Sequence, residues 1–265
     1  FGLAAFGPDL AGQPRARVPI PSPVSCASLV AGDLDGDGIP EVVVAVADEA
    51  GGGRVFVARI AAEALRWVGD APFQGGLGDR AVAIVGRPGI GRPEVMVGTR
   101  STARVLYRFS WDPENSSLAP LEPRRTAGDV ECIAVAPTSD SPSVAIGIGP
   151  WGGYGLEELR LGDGGPVQTL AVNLGTPSSL EPGDGASSAW LAGISWDREH
   201  VIGLHGTREA EAFEREYRPP GVYLVRAVPS EPPEIRAVVQ GVWRQGYRGD
   251  YSVTRVNSLG GGVLW

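Results

Sequence analysis

The sequence predicts an all-β fold built from repeats, on three observations. Gly and Pro are abundant, 39 and 23 of 265 residues, while hydrophobic residues still make up 43%. That composition suits many short strands joined by tight turns and argues against a disordered chain. A strand–loop–strand–turn–strand pattern recurs along the chain. Its second strands start near Val42, Val95, Val144, Val201 and Tyr251, with spacings of 53, 49, 57 and 50 residues. Counting from Tyr251 through the C-terminus back to Val42 gives 56. A closed ring requires the wrap-around to match the other spacings, so the expected architecture is a five-bladed β-propeller, with a six-bladed ring as the alternative.

The clearest repeat starts at Cys26 and reads CASLVAGDLDGDGIPEVVVAV, the Gly turn EAGGG, then RVFVARI. The second is AVAIVGRPGIGRPEVMVGT followed by ARVLYRFSW, and the third CIAVAPTSDSPSVAIGIG followed by YGLEELRL. The fourth is SAWLAGISWDREHVIGLHG followed by GVYLVRAV, and the fifth VVQGVWRQGYRGDYSVTRV followed by GGGVLW. A propeller blade is a four-stranded sheet that buries its faces only against its neighbours. The last repeat supplies three strands, ending in Val263–Trp265, so its outer strand must come from elsewhere. Arg15–Ile20 (RARVPI) alternates suitably and is expected to complete it, closing the ring and covering two sheet edges. A single domain over residues 1–265 then divides into blades at about 23–78, 79–127, 128–184 and 185–235, with 236–265 completed by 1–22. Thr207–Tyr217 (TREAEAFEREY) reads as a short helix capped by Thr207 or as a charged hairpin.

The strongest chemical signal is the loop Asp33-Leu34-Asp35-Gly36-Asp37-Gly38-Ile39-Pro40-Glu41. Carboxylates alternate along its first half, and two glycines allow the left-handed backbone of a tight turn. Ca²⁺ takes six to eight hard oxygen ligands. Asp33, Asp35 and Asp37 offer side-chain oxygens, Ile39 its carbonyl, and Glu41 a carboxylate from the start of the next strand. No basic residue lies nearby in sequence to neutralise them. An EF-hand would need flanking helices and a Glu at the twelfth position. Here β-branched runs flank the loop and Val44 stands at that position.

The stretch ASLVAGDLDGDGIPEVVVAV resembles the FG-GAP/VCBS repeat of integrin α-subunit propellers and their bacterial and archaeal relatives. The resemblance implies a Ca²⁺ loop joining the first two strands of a blade. That family usually carries Asp at the ninth loop position, where this chain has the longer Glu41. The resemblance is specific over residues 26–60. The later repeats keep Glu94; Asp140; Asp197 and Glu199; and Asp250, too few in any one loop to build a carboxylate cage. One Ca²⁺ with a structural role is therefore expected.

The remaining features bear on function class. Net charge is −8 and the basic residues are all Arg without a basic stripe, which excludes a nucleic-acid binder. No apolar run reaches the roughly 18 residues of a membrane-spanning helix. No basic segment followed by an apolar stretch opens the chain at Phe1, so it reads as a mature product or an excised domain. Cys26 and Cys132 occupy similar places in non-neighbouring repeats and are expected as free, buried thiols. Arg248-Gly249-Asp250 reads as a polar Gly turn, and Asn115-Ser116-Ser117 as an N-glycosylation sequon. His200 and His205 lie five apart on a strand and form no pair. Trp151 and Trp243 are read as packing between blades. No GxSxG, HExxH or P-loop pattern occurs. The expected function is a non-catalytic, extracellular or cell-surface calcium-binding module for protein or glycan partners. It could also serve as a subunit of a surface assembly, which an apolar patch around residues 1–12 would support. The alternative is a carbohydrate-active enzyme, a polysaccharide lyase or glycosidase, working in the central funnel.

Overall fold

The structure, a computed structural model, describes residues 2–5, 14, 16–61, 64–86, 92–100, 103–135, 143–148, 155–162, 165–173, 190–191, 200–205, 221–226, 234–240, 257–259 and 262–264. Every regular element among them is a β-strand, and every strand pairing described below is antiparallel. The chain divides into two compact units, Phe1–Arg125 and Thr126–Trp265.

Unit 1 begins with a strand pair, β1 (Gly2–Ala5) and β2 (Ala16–Pro19). Two four-stranded meanders follow. The first is β3 (Cys26–Gly32), β4 (Glu41–Ala47), β5 (Gly52–Ala61) and β6 (Ala64–Gln74), paired in that order. The second is β7 (Gly76–Val85), β8 (Glu94–Arg100), β9 (Val105–Asp112) and β10 (Ser117–Arg125), again paired in order.

Unit 2 repeats the arrangement. It holds β11 (Val130–Val135), β12 (Ser143–Ile148), β13 (Gly155–Gly162) and β14 (Gly165–Asn173). Then come β15 (Trp190–Leu191), β16 (His200–His205), β17 (Gly221–Arg226) and β18 (Glu234–Gln240). Each group of four is a meander. A strand pair ends the chain, β19 (Asn257–Leu259) with β20 (Gly262–Leu264). The second strands read at Val42, Val95, Val144 and Val201 each start one residue earlier. Tyr251, the segment Thr207–Tyr217, the Arg248–Asp250 tripeptide, Trp151 and Trp243 lie outside the described residues.

In each of the first three meanders the second strand is the most buried among the described residues. In β4 the run EVVVAVA is buried along its length save for half-buried Val42, and β12 (SVAIGI) is buried throughout. Such strands read as continuous apolar runs because both sheet faces are covered. The outer strand β10 is largely exposed. The two faces of the first sheet can be named. Val43 pairs with Val57 and Ala45 with Val55, so these four share one side. This side meets β7: Gly32 lies against the Ile84 side chain, and Cys26 Sγ is 3.9 Å from the Leu77 carbonyl. Val44 pairs with Phe56 and shares the other side with Val46. There Leu3, Ile20, Val24 and Trp67 pack against them. Trp67 tilts on Phe56 with ring centroids 5.2 Å apart, and its Nε1 donates to the Pro19 carbonyl at 2.7 Å.

The strand expected within Arg15–Ile20 is β2. Ala16–Pro19 pairs with Gly2–Ala5, a strand the alternation of the sequence did not reveal. Leu3 of that strand serves the chain's own core. Neither Cys26 nor Cys132 is in a disulfide; Cys132 is buried and Cys26 half-buried.

Close packing leaves a sharp test at Gly53, which pairs with Phe73 across β5 and β6. A Cβ there would fall 2.1 Å from Phe73 Cε2, and Phe73 is itself buried. Gly53→Ala is expected to cost about 1–3 kcal/mol in urea or thermal unfolding. Gly86→Ala, where a Cβ meets nothing within 4 Å, is expected to be close to neutral. Equal losses from both would show that the Phe73 ring does not lie over Gly53.

Candidate metal centre

The loop from Asp33 to Pro40 leaves β3 and enters β4. Gly36 and Gly38 take φ of 80° and 83°, the left-handed backbone that only glycine adopts without penalty. These two turns point successive backbone N–H groups inward. Gly36 N donates to Asp33 Oδ1 at 2.7 Å, and Gly38 N to Asp33 Oδ2 at 2.9 Å. Asp37 N donates to Asp35 Oδ1 at 3.2 Å, and Ile39 N to Asp37 Oδ1 at 2.7 Å. The Gly38 N–H, with those of Gly36, Asp35 and Asp37, holds the Asp33 carboxyl below the usual carboxylate range.

The result is a cluster. One oxygen from each of Asp33, Asp35 and Asp37 lies within 4.8 Å of the other two. Each carboxylate retains lone pairs beyond those its N–H partners use. Three hard anionic oxygens converging on one point suit a Ca²⁺-sized cation, and the donor set contains no soft ligand that would favour a transition metal. Ile39 sits at the exposed rim of the loop. Leu34, between the first two aspartates, is fully buried and pins the loop to the sheet.

Glu41 stands differently. It is 0% exposed, and both its oxygens are engaged inside the protein. Leu34 N donates to Oε2 at 2.9 Å, and Arg59 Nε donates to Oε1 at 2.9 Å. Arg59 also reaches Asp35 with Nη2. Hydrogen bonding to Glu41, reinforced by the charges of Glu41, Asp35 and Asp37, raises the guanidinium's already high pKa. Sequence reasoning found no basic partner for the acidic loop. Arg59 is that partner, eighteen residues on. The register Val42↔Ala58 sets β5 so that Arg59 falls opposite Glu41.

The second sheet has a related pair. Glu94 opens β8 as Glu41 opens β4. Arg108 of β9 grips it with two hydrogen bonds, Nε to Oε2 and Nη2 to Oε1, each 2.9 Å. Both side chains are nearly fully buried. The sequence between β7 and β8, with no Asp or Glu before Glu94, has nothing else to recruit a cation. Asn115, the sequon residue, lies exposed in the turn between β9 and β10, and its Nδ2 donates to Asp112 Oδ2 at 3.0 Å. His200 and His205 are the first and last residues of β16.

Breaking a buried, hydrogen-bonded ion pair from one side costs far more than replacing both members. Arg108→Met is expected to lower stability by about 3–5 kcal/mol, and Glu94→Leu added to it is expected to recover most of that loss. A double variant no better than Arg108→Met in denaturant unfolding would show that the pairing is not what Glu94 needs.

No curated protein matches the chain. Residues 27–57 match the family model described as FG-GAP repeat, a span running from β3 through the acidic loop into β5. The first meander, with its Asp33–Glu41 loop, is thus similar to an FG-GAP repeat over residues 27–57.

Proposed function

We propose that this chain is a calcium-stabilised, non-catalytic interaction module with a β-propeller architecture of five blades. The observation that carries the reading is the convergence of Asp33, Asp35 and Asp37 within 4.8 Å in the loop between the first two strands of an FG-GAP repeat. Asp33, Asp35 and Asp37 would hold one Ca²⁺, with the Ile39 carbonyl adding a ligand at the rim. The ion would cancel the repulsion among the carboxylates and fasten the β3–β4 connection. Successive antiparallel meanders, with second strands buried on both faces, support blades packed face to face. The β1–β2 pair, packed on the face of the first sheet opposite β7, would then stand at the seam where the ring closes.

An FG-GAP repeat of the integrin-like kind suggests recognition of a protein partner, or of a glycan, outside the cell or at its surface. Free Ca²⁺ is plentiful there. The acidic chain carries no footprint for nucleic acid, and among the described residues no helix is long and apolar enough to cross a membrane. The exposed turn holding Asn115 would accept an N-glycan in a secretory pathway.

Two measurements test this. A ligand that binds only the folded state stabilises it by about 2.7 kcal/mol at a hundredfold excess over Kd. Millimolar Ca²⁺ is therefore expected to raise the Tm, chelator to reverse the rise, and Asp35→Ala to abolish it. A melting curve indifferent to Ca²⁺ and chelator would sink the metal assignment. Expression through a eukaryotic secretory pathway is expected to add an endoglycosidase-sensitive mass that Ser117→Ala removes. Secreted protein without that mass would refute the glycan at Asn115.

A further inference from the structure

We infer that Arg59 sets how tightly the acidic loop holds its cation, and that Glu41 belongs to a Glu–Arg anchor of the fold rather than to the ion's ligand shell. The inference rests on the reading that the loop binds Ca²⁺.

Two independent features carry it. The first is the state of Glu41: fully buried, with one oxygen on Leu34 N–H and the other on Arg59 Nε. Its charge is met by the Arg59 guanidinium, and its burial keeps it away from the exposed rim where the aspartates gather. The second is the recurrence of the pair. Glu94 heads the second strand of the next sheet and is gripped by Arg108. The loop before it, GRPGI GRP over residues 86–93, contains no carboxylate at all. A Glu–Arg pair at this position is thus built where no metal loop exists, so the presence of Glu41 does not require an ion.

The consequence lies in Arg59's second arm. Its Nη2 pairs with Asp35, one of the three carboxylates that face the cation. A positive charge bonded to a donor opposes the approach of a dication to that donor. Even with water-like screening, one unit charge separated from a dication by a single carboxylate weakens binding on the order of tenfold. Meanwhile Asp33, Asp35, Asp37 and the Ile39 carbonyl fall short of the six to eight oxygens Ca²⁺ takes, leaving positions to water. Arg59 therefore makes the loop a moderate-affinity site whose folded form survives without the ion, because the guanidinium neutralises part of the cluster in its absence.

The experiment is calorimetric titration of the full chain with CaCl₂, alongside thermal unfolding in chelator. Arg59→Gln is expected to bind Ca²⁺ about tenfold more tightly than the wild type, and to melt at a lower temperature in chelator. Arg59→Lys, which keeps the charge, is expected to bind within about twofold of the wild type. A wild type that binds together with an Arg59→Gln variant that binds equally or more weakly overturns the inference alone. A wild type that does not bind overturns both the inference and the metal reading beneath it. Should Arg59→Gln fail to fold, Glu41→Gln carries the test. It leaves the guanidinium to Asp35, so affinity should fall several-fold. Unchanged affinity would overturn the inference, and so would complete loss, which would make Glu41 a ligand.

Discussion

A strand buried on both faces cannot be stable alone in water, and the architecture of this chain follows from that constraint. β4 and β12 carry apolar side chains on both sides, so each sheet must be covered twice. In the first sheet the two covers are visible. β7 takes the side of Val43 and Val57, while the β1–β2 pair with Val24 and Trp67 takes the side of Val44 and Phe56. Packing of this kind is unforgiving of added volume, which is why Gly53 must stay small beneath Phe73.

The acidic loop is held by that same packing. Leu34 and Glu41, both fully buried, tether its two ends to the sheet, while the aspartates between them stay near solvent. Exposed carboxylates brought together on a rigid frame repel one another unless something positive answers them. In the folded chain part of that answer is Arg59, and a bound cation would supply the rest. The second sheet pairs Glu94 with Arg108 in the same way. Both arrangements obey one rule. A buried charge persists where its partner and its hydrogen bonds are built into neighbouring strands.

Much of this was legible in the chain before folding. Apolar runs at even spacing located the second strands of the first four repeats to within a residue, because a doubly buried strand needs unbroken hydrophobicity. The alternation Asp33, Asp35, Asp37 with Gly36 and Gly38 located the tight turns, because φ values of 80° and 83° demand glycine. Arg59 was missed, although a signal existed. The turn around Glu49–Gly51 folds β4 onto β5 so that Val46 meets Arg54 and Val42 meets Ala58, and one step further Glu41 meets Arg59. Reading that register from the turn would have paired them. β1 had no comparable signal, since GLAA is too short and too small to alternate.

Side-chain period and backbone freedom within a few residues were enough to place the second strands of the first four repeats and the loop that gathers carboxylates. Which strand covers which face, the pairing of Ala16–Pro19 with Gly2–Ala5 and the hold of Arg59 on Glu41 were settled by the folded chain. Those outcomes depend on contacts between segments far apart in the chain, where burial and charge compensation choose among partners that local pattern leaves equivalent.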